Sequence, residues 1–254
     1  MTLTQTEVFD SYRNAKRIQD TILPAESEIK RIYPESFIIY LPKDTISGDF
    51  YWIREVNNTV LFAVADCTGH GVPGAMLTVI CHRLIEKSMK EFGMVIPGHI
   101  LDKTLEIRLS DFKRNGQSVN DGMDIALCSI TEDRLQFSGA NRPLWIVREG
   151  KLIETKPTRQ GIGSIMNPDP FMTNVIPLQK GDTIYLFSDG YVDQFGGRKF
   201  KKYMSAQFKD QLISINSNTM SEQKRLLEKA FFEWKGENEQ TDDICILGIR
   251  ILEK

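Results

Sequence analysis

Apolar positions along this chain follow two rhythms, a three-to-four spacing near the start and an alternating or continuous run over much of the rest. From Glu7 to Leu23, Val8, Phe9, Tyr12, Ala15, Ile18, Ile22 and Leu23 fall on one helical face, and Pro24 ends the pattern. The opposite face carries Arg13, Lys16, Arg17 and Asp20. Such a stripe suits a helix packed on a core, and it equally suits a linking or dimerising helix. Beyond Pro24, Phe37–Leu41 and Phe50–Val56 read as strands, and Asn57-Asn58 as the turn of a hairpin into Thr59–Ala65. A glycine-rich loop over Thr68–Gly74 precedes helices predicted at about Ala75–Phe92 and Ile100–Lys113, with a polar loop over Arg114–Ser118. Four short runs follow, Asp124–Ile130, Arg134–Ser138, Leu144–Arg148 and Lys151–Thr155. Turn residues between them predict an antiparallel meander. Asp182–Ser188 is a further strand. Helices are expected at about Lys201–Ile215 and Ser221–Lys235, the second capped by Ser221, before a last strand Ile244–Leu252.

The order is strands, two helices, strands, two helices, strand. It departs from the βαβα alternation of a doubly wound fold. An α+β class is expected, with a central antiparallel β-sandwich flanked by pairs of helices. Residues 1–24 form a candidate linker or regulatory helix, and residues 25–254 the main domain.

With 254 residues, 41% hydrophobic and 26% charged, the chain has material for a real core. A net charge of −2 gives no reason to expect nucleic acid or an anionic membrane as partner. No apolar run suffices for a membrane span, and Met1–Phe9 lacks the character of a signal peptide. Cys67, Cys81, Cys128 and Cys245 form no CxxC pair and read as reduced thiols, which suggests the cytoplasm. His70, His82 and His99 show no zinc-binding spacing.

The chemistry then rests on aspartates at the ends of apolar runs: Asp49, Asp66, Asp189 and Asp242. A carboxylate at a buried strand tip is costly unless something satisfies it. Hard divalent cations, which prefer oxygen donors, would do so. Two such ions can lower the pKa of a shared water and offset charge on phosphoryl oxygens. Glycines beside the ligands (Gly48, Gly69, Gly190) would leave room for ions and phosphate. Each signal alone also has a plain reading, since Asp-Gly after a strand is commonly a turn and Asp242-Asp243 a capping pair. The loop over Thr68–Gly74 lacks the GxxxxGK[ST] pattern of a P-loop.

Taken together, the motifs resemble those of the PPM (PP2C-like) metal-dependent protein phosphatases, in the bacterial branch typified by SpoIIE and RsbU. The resemblance runs from about Ala15 to Ile251. Ala15-Lys16-Arg17-Ile18-Gln19-Asp20-Thr21-Ile22-Leu23-Pro24 is similar to the family's leading helix, and Ser47-Gly48-Asp49-Phe50-Tyr51 to its first metal motif. Ala65-Asp66-Cys67-Thr68-Gly69-His70-Gly71-Val72-Pro73-Gly74-Ala75 is the strongest signature. Ser138-Gly139-Ala140-Asn141-Arg142-Pro143, Gly161-Ile162-Gly163, the stretch from Lys180-Gly181-Asp182 to Ser188-Asp189-Gly190, and Thr241-Asp242-Asp243 follow in the family's order.

The resemblance implies two Mn2+ or Mg2+ ions. Asp66 would bridge them. Asp49 and the backbone carbonyl of Cys67 would serve one ion, Asp189 and Asp242 the other. It implies hydrolysis of phosphoserine or phosphothreonine on a partner protein, in this branch often an anti-sigma-factor antagonist of the small STAS fold. Animal relatives carry a phosphate-gripping arginine and a histidine just after the bridging aspartate, whereas Thr68 stands two residues after Asp66 here. His70 is a candidate general acid, with a metal-bound water equally open and a solvent-facing loop histidine as the plain reading. Asp121 and Asp124 lie near a third-metal region of relatives, and neither is assigned as a ligand. About 24 residues precede the phosphatase pattern, which fits an excised catalytic module or a short stand-alone enzyme. A homodimer through the N-terminal helix is compatible with its stripe. The competing functional class is a catalytically weak or inactive, phosphoprotein-binding module of the same fold. A phosphodiesterase or nuclease would want a basic stripe that the chain lacks.

Overall fold

Alternation of side chains across two sheets decides where the core lies. The computed structural model describes residues 5–115, 121–163 and 167–252. The chain begins with helices α1 (Gln5–Asp20) and α2 (Glu26–Ile32), then strands β1 (Ser36–Leu41), β2 (Asp49–Val56) and β3 (Thr59–Cys67). Helices α3 (Gly71–Phe92) and α4 (Pro97–Asn115) precede β4 (Met123–Thr131), β5 (Arg134–Ala140), β6 (Leu144–Arg148), β7 (Lys151–Thr155), β8 (Asn174–Pro177) and β9 (Thr183–Phe187). The short α5 (Gly190–Asp193), β10 (Phe195–Gly196) and β11 (Lys201–Lys202) lead to α6 (Ser205–Ile215), α7 (Met220–Lys235) and β12 (Ile244–Arg250).

One antiparallel sheet runs β2-β3-β4-β5-β8 and the other β1-β12-β9-β6-β7. On β3, Phe62 and Val64 point between the sheets, where they meet Ile184, Leu186, Cys245 and Leu247. Their neighbours Leu61, Ala63 and Ala65 face outward under α3 and α4, against Cys81, Ile85 and Leu101. The other sheet mirrors this, with Tyr185, Phe187, Ile244 and Ile246 packed under Phe208, Leu212, Leu227 and Phe231 of α6 and α7. Strands apolar on both faces are thus buried twice over, which is why several read as continuous rather than alternating runs. The expected sandwich with flanking helix pairs is the observed one.

Several local expectations are corrected. The four middle strands are antiparallel but form no single meander: β4 and β5 belong to one sheet, β6 and β7 to the other. The chain crosses at Asn141, whose φ of +56° turns the backbone out of β5. Helix α3 starts at Gly71, so half of the predicted glycine-rich loop is its first turn. Pro73 is tolerated there because first-turn N–H groups have no helical acceptor. The cap of α7 is Thr219, whose hydroxyl accepts from the Glu222 N–H, and not Ser221. The Arg114–Ser118 loop lies partly outside the described residues, and α4 runs on to Asn115. The Asn57-Asn58 turn is as expected, both residues having positive φ.

The leading helix differs most. Phe9 and Ile18 of its apolar stripe are each 63% exposed, whereas the polar Gln19 is buried. The Gln19 amide grips one peptide of the β1–β2 connection. Its Nε2 donates to the Ser47 carbonyl at 2.5 Å and its Oε1 accepts from the Ser47 N–H at 3.0 Å. A buried amide with both ends satisfied fixes register, and here it ties α1 to the segment that introduces Asp49.

Candidate metal centre

The strand register sets three carboxylates side by side. Asp49 of β2 lies directly opposite Asp66 of β3, and Asp66 directly opposite Asp124 of β4. All three have the same pleat phase as the sandwich interior, two residues before Tyr51, after Val64 and before Ala126. Like charges directly opposite one another weaken a sheet. The arrangement therefore calls for positive charge at this end of the sandwich.

The opposite sheet supplies the rest. Ser188 and Asp189 follow β9, and Asp242 and Asp243 precede β12. Ser188 donates its hydroxyl to Asp49 Oδ2 at 2.5 Å and accepts from the Cys245 N–H at 2.9 Å, so it joins the two sheets at the site. Asp243, buried, accepts from the Lys43 and Gly48 N–H groups at 2.7 and 2.8 Å. It holds the loop that presents Asp49. Asp242, its half-exposed neighbour, accepts from the Asp243 N–H at 2.8 Å. Counting back along β12, Asp243 and not Asp242 shares the inward phase of Cys245 and Leu247, a signal present in the strand pattern.

Two of the three glycines also have a packing role. A Cβ on Gly48 would sit 2.4 Å from the Gly69 carbonyl oxygen, and one on Gly190 would sit 1.9 Å from the Asp243 carbonyl oxygen. Both allow backbone to lie on backbone, whereas Gly69, with φ +85°, has open space where a side chain would stand. Cys67 donates its N–H to the Gly48 carbonyl at 3.0 Å. Its own carbonyl oxygen also lies close to Gly48.

Electrostatics register the crowding. Burial, followed by repulsion from Asp66, raises the Asp49 carboxyl well above the usual carboxylate range. Asp66 is pushed up to about 7, chiefly by burial, with Arg142 opposing and Asp189, Asp242 and Asp124 adding to the rise. Burial also raises Asp124 and Asp242, against hydrogen bonds from Asn141 and from the Asp243 N–H respectively. The cation that answers these charges is Arg142, which the sequence motif contained without a role. Its Nη2 lies 2.7 Å from Asp66 Oδ2, 2.7 Å from Asp189 Oδ2 and 3.5 Å from Asp124 Oδ2. The preceding Asn141 donates its side-chain N–H to Asp124 Oδ1 at 2.8 Å. Burial works against the arginine's charge, but Asp66 and Asp189 more than offset it, and its pKa lies above the ordinary value.

The structure thus brings together Asp66, Asp124 and Asp189, with Asp242 near enough to repel the first and third, and Asp49 behind them on Ser188. His70 stands apart in its contacts. It is half exposed, with Nδ1 2.9 Å from Asp44 Oδ2 and Nε2 3.2 Å from Lys43 Nζ. The Asp121 carbonyl accepts from Arg108 at 3.3 Å. Among the described residues no three His, Cys, Asp or Glu side chains already enclose a point in metal-ligand geometry. The donor set nevertheless fits hard divalent ions: it is all oxygen, crowded, and holds more carboxylates than Arg142 alone can offset.

The sequence profile described as "Stage II sporulation protein E (SpoIIE)" matches residues 57–252. The fold is similar to the SiaA-PP2C domain of Pseudomonas aeruginosa, with TM-score 0.90 and 32% identity over 99% of this chain and 100% of that one. It is also similar to the phosphatase domain of SpoIIE from Bacillus subtilis (TM-score 0.69, 18% identity, 85% and 63% covered). The RsbU and RsbW domains of Rv1364c from Mycobacterium tuberculosis match at TM-score 0.65 and 20% identity (86% and 60% covered). No curated protein sequence matches the chain. With its profile match and its sandwich, the chain belongs to the SpoIIE family of PP2C-type phosphatase domains.

Proposed function

We propose that this chain is a metal-dependent serine/threonine protein phosphatase of bacterial signalling. The observation that carries the reading is the register row Asp49–Asp66–Asp124, faced by Asp189 and Asp242 from the other sheet. Such a concentration of buried carboxylate is costly to stability and makes sense as a cation seat. Asp66 would lie between two Mn2+ or Mg2+ ions, with Asp49 and the Cys67 carbonyl on one side and Asp189 and Asp242 on the other. Bound there, the ions supply an activated water and offset charge on the phosphoryl oxygens. RsbX, a structural neighbour at 14% identity, has been seen in complex with magnesium.

The chain's own residues do the rest. Ser188 fixes the rotamer of Asp49, and Asp243 fixes the backbone that carries it. His70, at the start of α3, is the candidate proton donor to the departing serine or threonine oxygen. Its Nδ1 faces Asp44, and its Nε2 accepts from Lys43, so Lys43 would have to move before Nε2 could carry the proton to be donated. The substrate is a phosphorylated partner protein, such as a STAS-type antagonist in a sigma-factor switch. A neighbour that joins RsbU and RsbW domains supports that setting. The four free, buried cysteines support a reducing compartment, the cytoplasm, and among the described residues no helix is long and apolar enough to cross a membrane. Residues 1–24, which include α1, act as a regulatory segment. Exposed Phe9 and Ile18 would pair with a second copy, and Gln19 would pass the change to the Asp49 segment.

The test is hydrolysis of an aryl phosphate and of a phosphoserine protein with Mn2+, with and without chelator, in wild type and Asp189→Asn. Turnover that needs metal and collapses in the variant supports the proposal. Activity surviving both chelation and substitution contradicts it. A folded, Mn2+-loaded wild type that binds phosphoprotein but turns over neither substrate makes the chain a binding module instead.

A further inference from the structure

Arg142 contacts the carboxylates in an unusual way. An arginine recruited for an ion pair normally presents two nitrogens to one carboxylate. Here a single nitrogen, Nη2, lies 2.7 Å from Asp66, 2.7 Å from Asp189 and 3.5 Å from Asp124. One point of positive charge among three carboxylates is how a metal ion would sit. The guanidinium is otherwise poorly served, because its buried Nε has no hydrogen-bond partner. Its backbone, by contrast, is fixed: the Arg142 N–H donates to the Ala140 carbonyl at 2.7 Å, the Asn141 N–H donates to the Thr158 carbonyl at 3.0 Å, and Pro143 follows. A long flexible stem on a rigid corner can move its head without moving the fold.

Ions ligated by Asp66 and Asp189 would compete with Arg142 for the Oδ2 oxygens it holds and would repel its charge at close range. Asp66 and Asp189 are the residues the proposed mechanism assigns to those ions, and this inference rests on that reading. That competition and the like-charge repulsion favour moving Nη2 off the cluster when ions bind. The expelled fork keeps its charge and its preference for planar, bidentate oxygen pairs, and a phosphoryl group held over the ions offers one. We propose that Arg142 is the resident cation of the metal-free site, and that the ions displace it onto the phosphoryl group of the substrate. The arginine then keeps the empty carboxylate cluster folded, sets a threshold on metal loading, and contributes to phosphate recognition only once the metals are in place.

The experiment compares wild type, Arg142→Gln and Arg142→Lys at pH 8. Mn2+ binding is measured by calorimetry, inorganic phosphate binding to the Mn2+-loaded proteins likewise, and thermal unfolding in chelator. The Arg142→Gln protein should melt below wild type without metal, because its carboxylates lose their counter-charge. It should bind Mn2+ about tenfold more tightly, since no ion pair has to be broken first. Its loaded form should bind phosphate about tenfold more weakly. The Arg142→Lys protein should fall between the two, and it decides the matter if the glutamine variant does not fold. Unchanged or weaker Mn2+ affinity in both variants overturns the displacement. Unchanged phosphate affinity overturns the transfer to substrate. A wild type that binds no Mn2+ overturns the metal reading beneath both, and it is told apart by failing before any variant is compared.

Discussion

Asp66→Asn should flatten the pH dependence of stability when the protein is unfolded in chelator. The Asp66 side chain is 22% exposed, and its pKa is raised to about 7, chiefly by burial and by neighbouring carboxylates. In the unfolded chain the group titrates near an ordinary value of about 3.9. Between those values the unfolded chain has lost the proton and the folded one still holds it. The unfolded state binds fewer protons, so stability falls as pH rises from about 4 through about 7. The full stabilising effect of the neutral acid is present only below about pH 4. Integrated from pH 5 to pH 8, the single group costs the folded state about 2–3 kcal/mol. Asparagine does not titrate and escapes this loss. It gives up the 2.7 Å charge-assisted bond from Arg142, worth about 1.5–3 kcal/mol. The two effects oppose each other at any one pH, so the pH slope is the clean readout. Urea unfolding in chelator at pH 5 and pH 8 should show wild type losing about 2–3 kcal/mol more than the variant across that interval. Parallel pH dependence of the two proteins would refute the electrostatic account of the site.

Other outcomes follow from the same contacts. Mn2+ affinity of wild type, measured by calorimetry, should rise at least about tenfold per pH unit below pH 7, as protons on Asp66 and Asp49 cease to compete; affinity independent of pH over that range would count against these carboxylates as ligands. Ser188→Ala removes the 2.5 Å bond to Asp49 and the acceptor of the Cys245 N–H, and should lower stability by about 1–3 kcal/mol in chemical denaturation. Gly48→Ala should destabilise by about 1–3 kcal/mol or more, because its methyl would press on the Gly69 carbonyl at 2.4 Å. Deleting Met1–Leu23 removes the Gln19 clamp on Ser47 and should change both oligomeric state and turnover; if sedimentation and rate are unchanged, the helix has no regulatory part.

The strands and helix pairs were legible because most are long and their apolar faces repeat at periods of 2 or 3.6. The aspartates at strand tips stood out because a charge beside an apolar run is rare without cause. What stayed hidden depended on three dimensions. The change of sheet between β5 and β6 turns on one positive φ at Asn141, and a meander or a crossing can read alike in sequence. β8 is an edge strand of four residues ending in Pro177, too short to show a period. The stripe on α1 was plain, but a stripe does not say what covers it; Ile18 faces solvent and its neighbour Gln19 is buried. Asp243 was within reach, since its strand phase points inward with Cys245. Arg142 was not, because its partners come from β3, β4 and the end of β9, far apart in the chain.

A row of carboxylates on one sheet, faced by carboxylates of the other, is proposed to hold two cations. Crystals soaked in Mn2+ and measured at the manganese absorption edge test it most directly. The account predicts two anomalous peaks flanking the Asp66 carboxylate, one toward Asp49 and the Cys67 carbonyl and one toward Asp189 and Asp242, with the Arg142 guanidinium moved out of the cluster. Fully soaked crystals with no peak at Asp66, and Arg142 still bonded to Asp66 and Asp189, would contradict it.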